Sequence, residues 1–210
     1  MTPDQFLDRC RSLRHVGPAG AWDHISTQGF RTAEQLILAA DLDEVTREQL
    51  LTEPRREHVR LTIDGNQVTL RDQGPLFARK DWSSILGDGL TIADWVRMLN
   101  RRVYLFASTE PMKKMIDKYV ALDGAQDVIT LSPIRVLEAA RGRIEMASRN
   151  SGAVARESGP QKRRSSFVSM WESPDRTPTE VTIVDGLEDL AVVVYAERHH
   201  ADGRREVLKA

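Results

Sequence analysis

Arg102-Val103-Tyr104-Leu105-Phe106-Ala107-Ser108 is the stretch on which the fold turns. Ahead of it, Thr91 is placed to cap a helix whose Ile92, Trp95, Val96 and Leu99 recur at helical spacing. At Arg102 the period drops to two, so Tyr104, Phe106 and Ser108 fall on one face of a strand and Val103, Leu105 and Ala107 on the other. A strand this apolar on both faces is buried inside a mixed α and β structure. The face that carries Tyr104 and Ser108 has polar edges and can line a pocket.

Toward the N-terminus, residues 58–71 also alternate, with Val59, Leu61 and Ile63, then Asp64-Gly65-Asn66, then Val68 and Leu70, the pattern of a β-hairpin. Before it stand short helices. Thr2 with Pro3 and Gln5 starts the first, Trp22 and Ile25 ride on one stopped by Gly29, and the capping-box spacings Thr32/Gln35 and Thr46/Gln49 predict two more. Leu13-Arg14-His15-Val16, between the first two helices, reads as a short strand. Toward the C-terminus, Met112, Met115, Ile116 and Tyr119 give a helix, Val128 to Leu131 a strand, Ser132-Pro133 the start of another helix, and Arg143 to Ala147 a further strand. Periodicity then fails over residues 148–178. Glu180 to Val184, a turn at Asp185-Gly186, and the valine-rich Leu190 to Ala196 read as a final hairpin. The class is α+β.

The chain has 210 residues, 40% hydrophobic and 29% charged, which suits one domain over residues 1–210. Within it, 153–178 is an irregular basic and aromatic loop and 199–210 a charged tail. No run approaches the ~20 apolar residues of a membrane helix, and the N-terminus lacks the pattern of a secretory signal, so no membrane partner and a cytoplasmic location are expected. The lone Cys10 and five scattered histidines offer no ligand spacing for zinc, so no metal is expected. A net charge of −1 argues against a protein that coats nucleic acid non-specifically. There is no GxxxxGK[ST], no GxGxxG after a strand, no GxSxG and no HExxH.

What remains is an ordered set: His15 on the first strand, Tyr104 and Ser108 on a central strand, Glu180 opening the penultimate strand. The segment Leu13-Arg14-His15-Val16, with residues 21–30 (AWDHISTQGF), resembles the opening of DarT-type DNA ADP-ribosyltransferases, and Thr179-Glu180-Val181-Thr182-Ile183-Val184 resembles their catalytic glutamate strand. Val16-Gly17 stands where that opening has threonine, and VYLFAS differs from their middle strand, so substrate identity does not carry over. Along nearly its whole length the chain resembles an uncharacterised bacterial family distantly related to those enzymes, through Arg71-Asp72-Gln73, Leu99-Asn100 ahead of Arg102-Val103-Tyr104, and Asn150-Ser151-Gly152-Ala153.

The resemblance implies an ADP-ribosyltransferase-like split sheet with short helices, an N-terminal helix and a long loop before the penultimate strand. It also implies NAD⁺ as co-substrate, with Glu180 stabilising the oxocarbenium-like charge that develops as nicotinamide leaves. His15, Tyr104 and Ser108 would bind and orient the nicotinamide riboside. Arg14, Arg71 and Arg102 are each candidates to neutralise the pyrophosphate, and Arg71 is also the positional candidate to assist the acceptor. Lys162, Arg163, Arg164 and Trp171 of the loop would meet a single-stranded nucleic-acid acceptor through charge and stacking. A bacterial toxin or defence role, with a neutralising antitoxin protein as partner, goes with this reading. NAD⁺ glycohydrolysis and a binding-only domain of the same fold are its alternatives.

Overall fold

The structure, a computed structural model, describes residues 1–74, 76, 82–152 and 161–210. Among them are seven α-helices and ten strands. The strands form two four-stranded antiparallel sheets and a separate hairpin. One sheet has the order β1 (Leu13–Pro18), β5 (Gln126–Leu131), β9 (Val193–His199), β10 (Arg205–Lys209). The other runs β4 (Arg102–Leu105), β8 (Glu180–Val184), β6 (Ile144–Ala147), β7 (Val168–Ser169). The α+β class and the split sheet are therefore as expected from the sequence.

The two sheets touch at β1 and β4 through a single bridge, Arg14 to Phe106, in which each backbone N–H donates to the other's carbonyl at 3.0 and 2.8 Å. Beyond that pair the strands part. A shared core underlies both sheets, with Leu13, Ile129 and Val193 from one and Leu105, Ile144 and Ile183 from the other, all at most 2% exposed. Helix α2 (Ala21–Gln28) packs on β1 where Gly17 offers no side chain; a Cβ there would stand 2.5 Å from that of Ala21. Its N-terminus is fixed by the buried Asp127 carboxylate, which accepts from the backbone N–H of Gly20 and Trp22 and pairs with Arg198 at 2.6 Å.

The hairpin β2 (Val59–Ile63) and β3 (Asn66–Leu70) turns at Asp64 and Gly65, both at positive φ (50° and 77°), which suits the twist of a two-residue connection. It packs on α3 (Ala33–Ala39) and α4 (Glu44–Thr52). Helix α5 (Ile92–Asn100) buries Trp95 against Phe167, ring centroids 5.7 Å apart. Helix α6 (Thr109–Asp123) follows β4, α1 (Pro3–Arg9) opens the chain, and α7 (Pro133–Ala139) follows β5.

Several expectations are corrected. The strands after residue 180 do not pair as a hairpin: β8 lies between β4 and β6, whereas β9 crosses to the other sheet between β5 and β10. Asp185 and Gly186 do turn, both at positive φ, but the chain then passes through a 3₁₀ turn at Leu190–Val192 before entering β9. Thr46 does not cap α4. Asp43 does, its carboxylate accepting from the N–H of Thr46 at 2.9 Å, because the helix already starts at Glu44 and Thr46 lies inside its first turn. The central strand ends at Leu105 rather than Ser108, since Phe106 leaves β8 to bridge Arg14, and Ser108 instead stands at the N-cap position of α6 without a side-chain capping bond. The segment 148–178 is not wholly irregular: it contributes β7 and 3₁₀ turns at Arg164–Ser166 and Met170–Glu172, while its residues 153–160 lie outside the described residues. The charged tail forms β10. Among the described residues no helix is long and apolar enough to cross a membrane.

Candidate functional site

The parting of β1 from β4 opens a cavity of about 700 Å³, within the usual range for ligand sites. His15, Tyr104 and Glu180 all line it. Strand register explains two of them: Tyr104 pairs with Thr182, and Glu180 is two residues along the same strand, so both project from one face of the sheet. His15 comes from β1 and reaches across the seam.

The His15 Nδ1 lies 3.0 Å from the Tyr104 carbonyl oxygen. A carbonyl only accepts, so Nδ1 carries the proton and Nε2 is left as an acceptor, with no hydrogen-bond partner among the described residues. Burial is the main reason the imidazole pKa falls to about 4, with the Arg71 charge pushing the same way and the Tyr104 bond opposing. The ring is thus neutral at physiological pH. It meets the Phe30 ring edge-on, centroids 5.6 Å apart.

Glu180 is 9% exposed. Its Oε2 accepts from both the backbone N–H and the hydroxyl of Ser151, at 3.0 and 2.7 Å. Burial raises the carboxyl pKa, and the two Ser151 bonds and the nearby Lys162 charge pull it partly back. The Tyr104 hydroxyl donates to the Leu99 carbonyl at 3.3 Å, and burial, followed by the Glu180 charge, raises its pKa. Ser151 therefore carries a role that its turn-like Asn150-Ser151-Gly152 context only partly signals. Its own burial, 2% exposed, is what no local pattern conveys.

The arginines separate. Arg14 and Ser108 do not line the cavity. Arg102 does, but its guanidinium is 2.7 Å from Glu145, donates to the Met98 carbonyl and lies 4.0 Å over the Phe167 ring. Arg71, at the end of β3, donates through Nη2 to Gln126 and stacks 4.2 Å over Tyr119, while its Nε and Nη1 are buried without a hydrogen-bond partner among the described residues. Burial lowers its pKa. Arg55, which no sequence pattern marks, lines the cavity as well. It is held by the Arg71 carbonyl and by Asn100 Oδ1, both at 3.0 Å, and burial pushes its pKa down to about 10.

None of the four loop residues lines the cavity. Lys162 is 7% exposed and sits behind the site, its Nζ donating to the Asn150 carbonyl at 2.6 Å while its backbone bonds the Ile85 to Gly87 segment. Arg163 pairs with Asp88 at 3.3 Å, and the Arg164 backbone N–H donates to the same carboxylate at 3.1 Å. Trp171 is 41% exposed, with the Arg141 guanidinium 5.3 Å over its ring. Among the described residues no group of three or more His, Cys, Asp or Glu is placed to hold a metal.

Residues 11–194 match the model of a family described as one of unknown function, DUF7002. The chain belongs to the DUF7002 family. No curated protein and no solved structure matches it. The DUF7002 match spans every cavity residue named above and stops just inside β9, so the seam between the sheets belongs to the family's shared region and β10 lies beyond it.

Proposed function

We propose that this DUF7002 protein cleaves the nicotinamide glycosidic bond of NAD⁺ and transfers ADP-ribose to an acceptor, acting in the cytoplasm as an ADP-ribosyltransferase-type enzyme. The observation that carries the reading is the convergence of His15, Tyr104 and Glu180 on one cavity from three strands far apart in sequence. The neutral His15 offers Nε2 to a ribose hydroxyl. Tyr104 offers a ring to the nicotinamide. Ionised Glu180, oriented by Ser151, opposes the positive charge that develops on the ribose as nicotinamide departs, so it acts most strongly at the transition state. Its raised pKa is consistent with a charge held out of water for electrostatic use.

Acceptor choice is a separate matter. With Lys162 buried and Arg163 engaged by Asp88, the basic segment is a weaker candidate for strand contact than its composition suggests. Nucleic acid remains the acceptor class we favour, because Arg164 and Trp171 of that segment stay exposed and offer charge and a stacking ring. The test is incubation of the full chain with labelled NAD⁺ and separate pools of DNA, RNA and protein. Label should enter a nucleic-acid pool. Free ADP-ribose alone would assign hydrolysis instead, and recovery of intact NAD⁺ throughout would overturn the reading.

A further inference from the structure

The cavity is strongly cationic. Among its described lining residues are six arginines and lysines, Arg31, Arg55, Arg71, Arg102, Lys114 and Lys118, against two carboxylates, Asp72 and Glu180. Both carboxylates are engaged in part: Glu180 accepts from Ser151, and Asp72 Oδ1 accepts from the Gly74 N–H at 2.7 Å, while the Asp72 backbone N–H donates to His58 Nδ1 at 3.2 Å. Arg102 is neutralised by Glu145, and Arg55 is tied to the Arg71 carbonyl and Asn100.

Arg71, Lys114 and Lys118 are different. Lys114 and Lys118 are four residues apart on α6 and both line the cavity, so they share its face, an arrangement of like charges that costs helix stability unless an anion relieves it. The Lys118 Nζ is 4.9 Å and the Arg71 Cζ 4.2 Å from the centroid of the same Tyr119 ring, which gathers two cations around one side chain. None of the three has a carboxylate within ion-pair distance among the described residues. Two N–H groups of Arg71 make no well-formed hydrogen bond beside the Tyr119 side chain, so a phosphoryl oxygen would complete the guanidinium's donors. Three cations gathered at one wall, Arg71 within the cavity and the two lysines at its exposed side, match two adjacent phosphoryl groups better than a single carboxylate.

We propose that Arg71, Lys114 and Lys118 form a diphosphate-binding site, taking the diphosphate of a nucleotide whose remainder extends along the same cavity. This rests on the proposed NAD⁺ reading for the identity of the nucleotide, though not for the preference for phosphate.

The experiment is calorimetric titration of the full chain with ADP, inorganic pyrophosphate and adenosine, beside a nicotinamide-release assay on NAD⁺. The Lys114→Ala/Lys118→Ala double variant alters exposed side chains and keeps the fold testable, and Arg71→Lys is the companion. ADP and pyrophosphate should compete for one site, adenosine should bind much more weakly, and the double variant should lose at least about tenfold in affinity for ADP, with a shallower salt dependence. Equal ADP affinity in wild type and the double variant, or adenosine binding as tightly as ADP, overturns the site. So does a short oligothymidylate that binds more tightly than ADP through the same lysines, which would assign the wall to a nucleic-acid strand. The two readings separate cleanly. NAD⁺ cleavage with lysine-independent ADP binding ends this proposal alone, and lysine-dependent ADP binding in a wild-type protein that never releases nicotinamide ends only the NAD⁺ reading.

Discussion

The Nδ1 of His15 stands 3.0 Å from the carbonyl oxygen of Tyr104, 89 residues along the chain, one residue beyond the bridge that joins the two sheets. A side chain thus bonds across the seam where the backbone ladder ends. The bond holds the cavity's two walls in register and sets the tautomer that faces the ligand. Replacing His15 by Gln removes the ring acceptor, and NAD⁺ affinity should fall about tenfold, the worth of one hydrogen bond. Calorimetry on the variant, with circular dichroism to show that it is folded, reads this directly.

The same histidine gives a pH signature. In the fold its pKa is about 4, against an ordinary value of 6.5, so the unfolded chain binds the extra proton between those limits. Stability linked to His15 is fully present above about pH 6.5 and is lost as the pH falls toward about 4, by a total on the order of 3 kcal/mol. Denaturant melts at several pH values should show the wild type losing stability in that window relative to His15→Gln. Parallel curves for the two proteins would contradict it.

Ser151 should matter through Glu180. Ser151→Ala deletes the 2.7 Å hydroxyl donor while the backbone N–H stays. Bonds to a charged group contribute about 1.5–3 kcal/mol, so turnover of NAD⁺ should drop roughly 10- to 100-fold. Because the lost bond favours the ionised carboxylate, the acid limb of the pH–rate profile should move further upward. An unmoved limb would leave Ser151 as packing only.

The basic segment should divide. Lys162→Met removes a buried charge that favours ionised Glu180, so the same acid limb should rise. Arg163→Ala breaks exposed contacts, the pair with Asp88 and a bond to Gln161, the pair expected to contribute less than about 1 kcal/mol, and should leave the profile in place.

Arg102 is expected to be structural. Arg102→Gln strips the ion pair from Glu145 and the cation from the Phe167 ring, with a stability loss of about 2–4 kcal/mol. NAD⁺ affinity of the folded variant should not change. A variant of wild-type stability with weakened NAD⁺ binding would place Arg102 on the ligand instead.

Much of this was legible in the sequence where the signal is local. Period-two alternation placed Tyr104 in a buried strand, and the pairing of Tyr104 with Thr182 then puts it on the face of Glu180. Capping-box spacings at Thr2 and Thr32 and the cap residue Thr91 mark three helix starts, and in the structure Thr91 also forms a box with Asp94. Pairing between distant strands was not legible: the turn at Asp185-Gly186 has the chemistry of a hairpin, yet β8 is already flanked on both sides by β4 and β6, leaving no edge for β9. Arg55 was invisible for a similar reason. Its place depends on bonds with Gln73 and Asn100, 18 and 45 residues away. Lys162 reads as an acceptor contact because its neighbours are charged, whereas the parallel bridge to Leu86 and the Nζ bond to the Asn150 carbonyl, both distant in sequence, accompany its burial.

Glu180→Gln tests the central claim most directly, read as nicotinamide release from NAD⁺ together with NAD⁺ binding to the same protein. The amide keeps an oxygen able to accept both Ser151 bonds, so the site should stay intact while the charge is lost. The expected result is release lowered by roughly 10²–10³-fold or more, with NAD⁺ affinity close to that of the wild type. Release at the wild-type rate from Glu180→Gln would contradict a catalytic role for this carboxylate, and the NAD⁺-cleaving assignment of the cavity would fall with it.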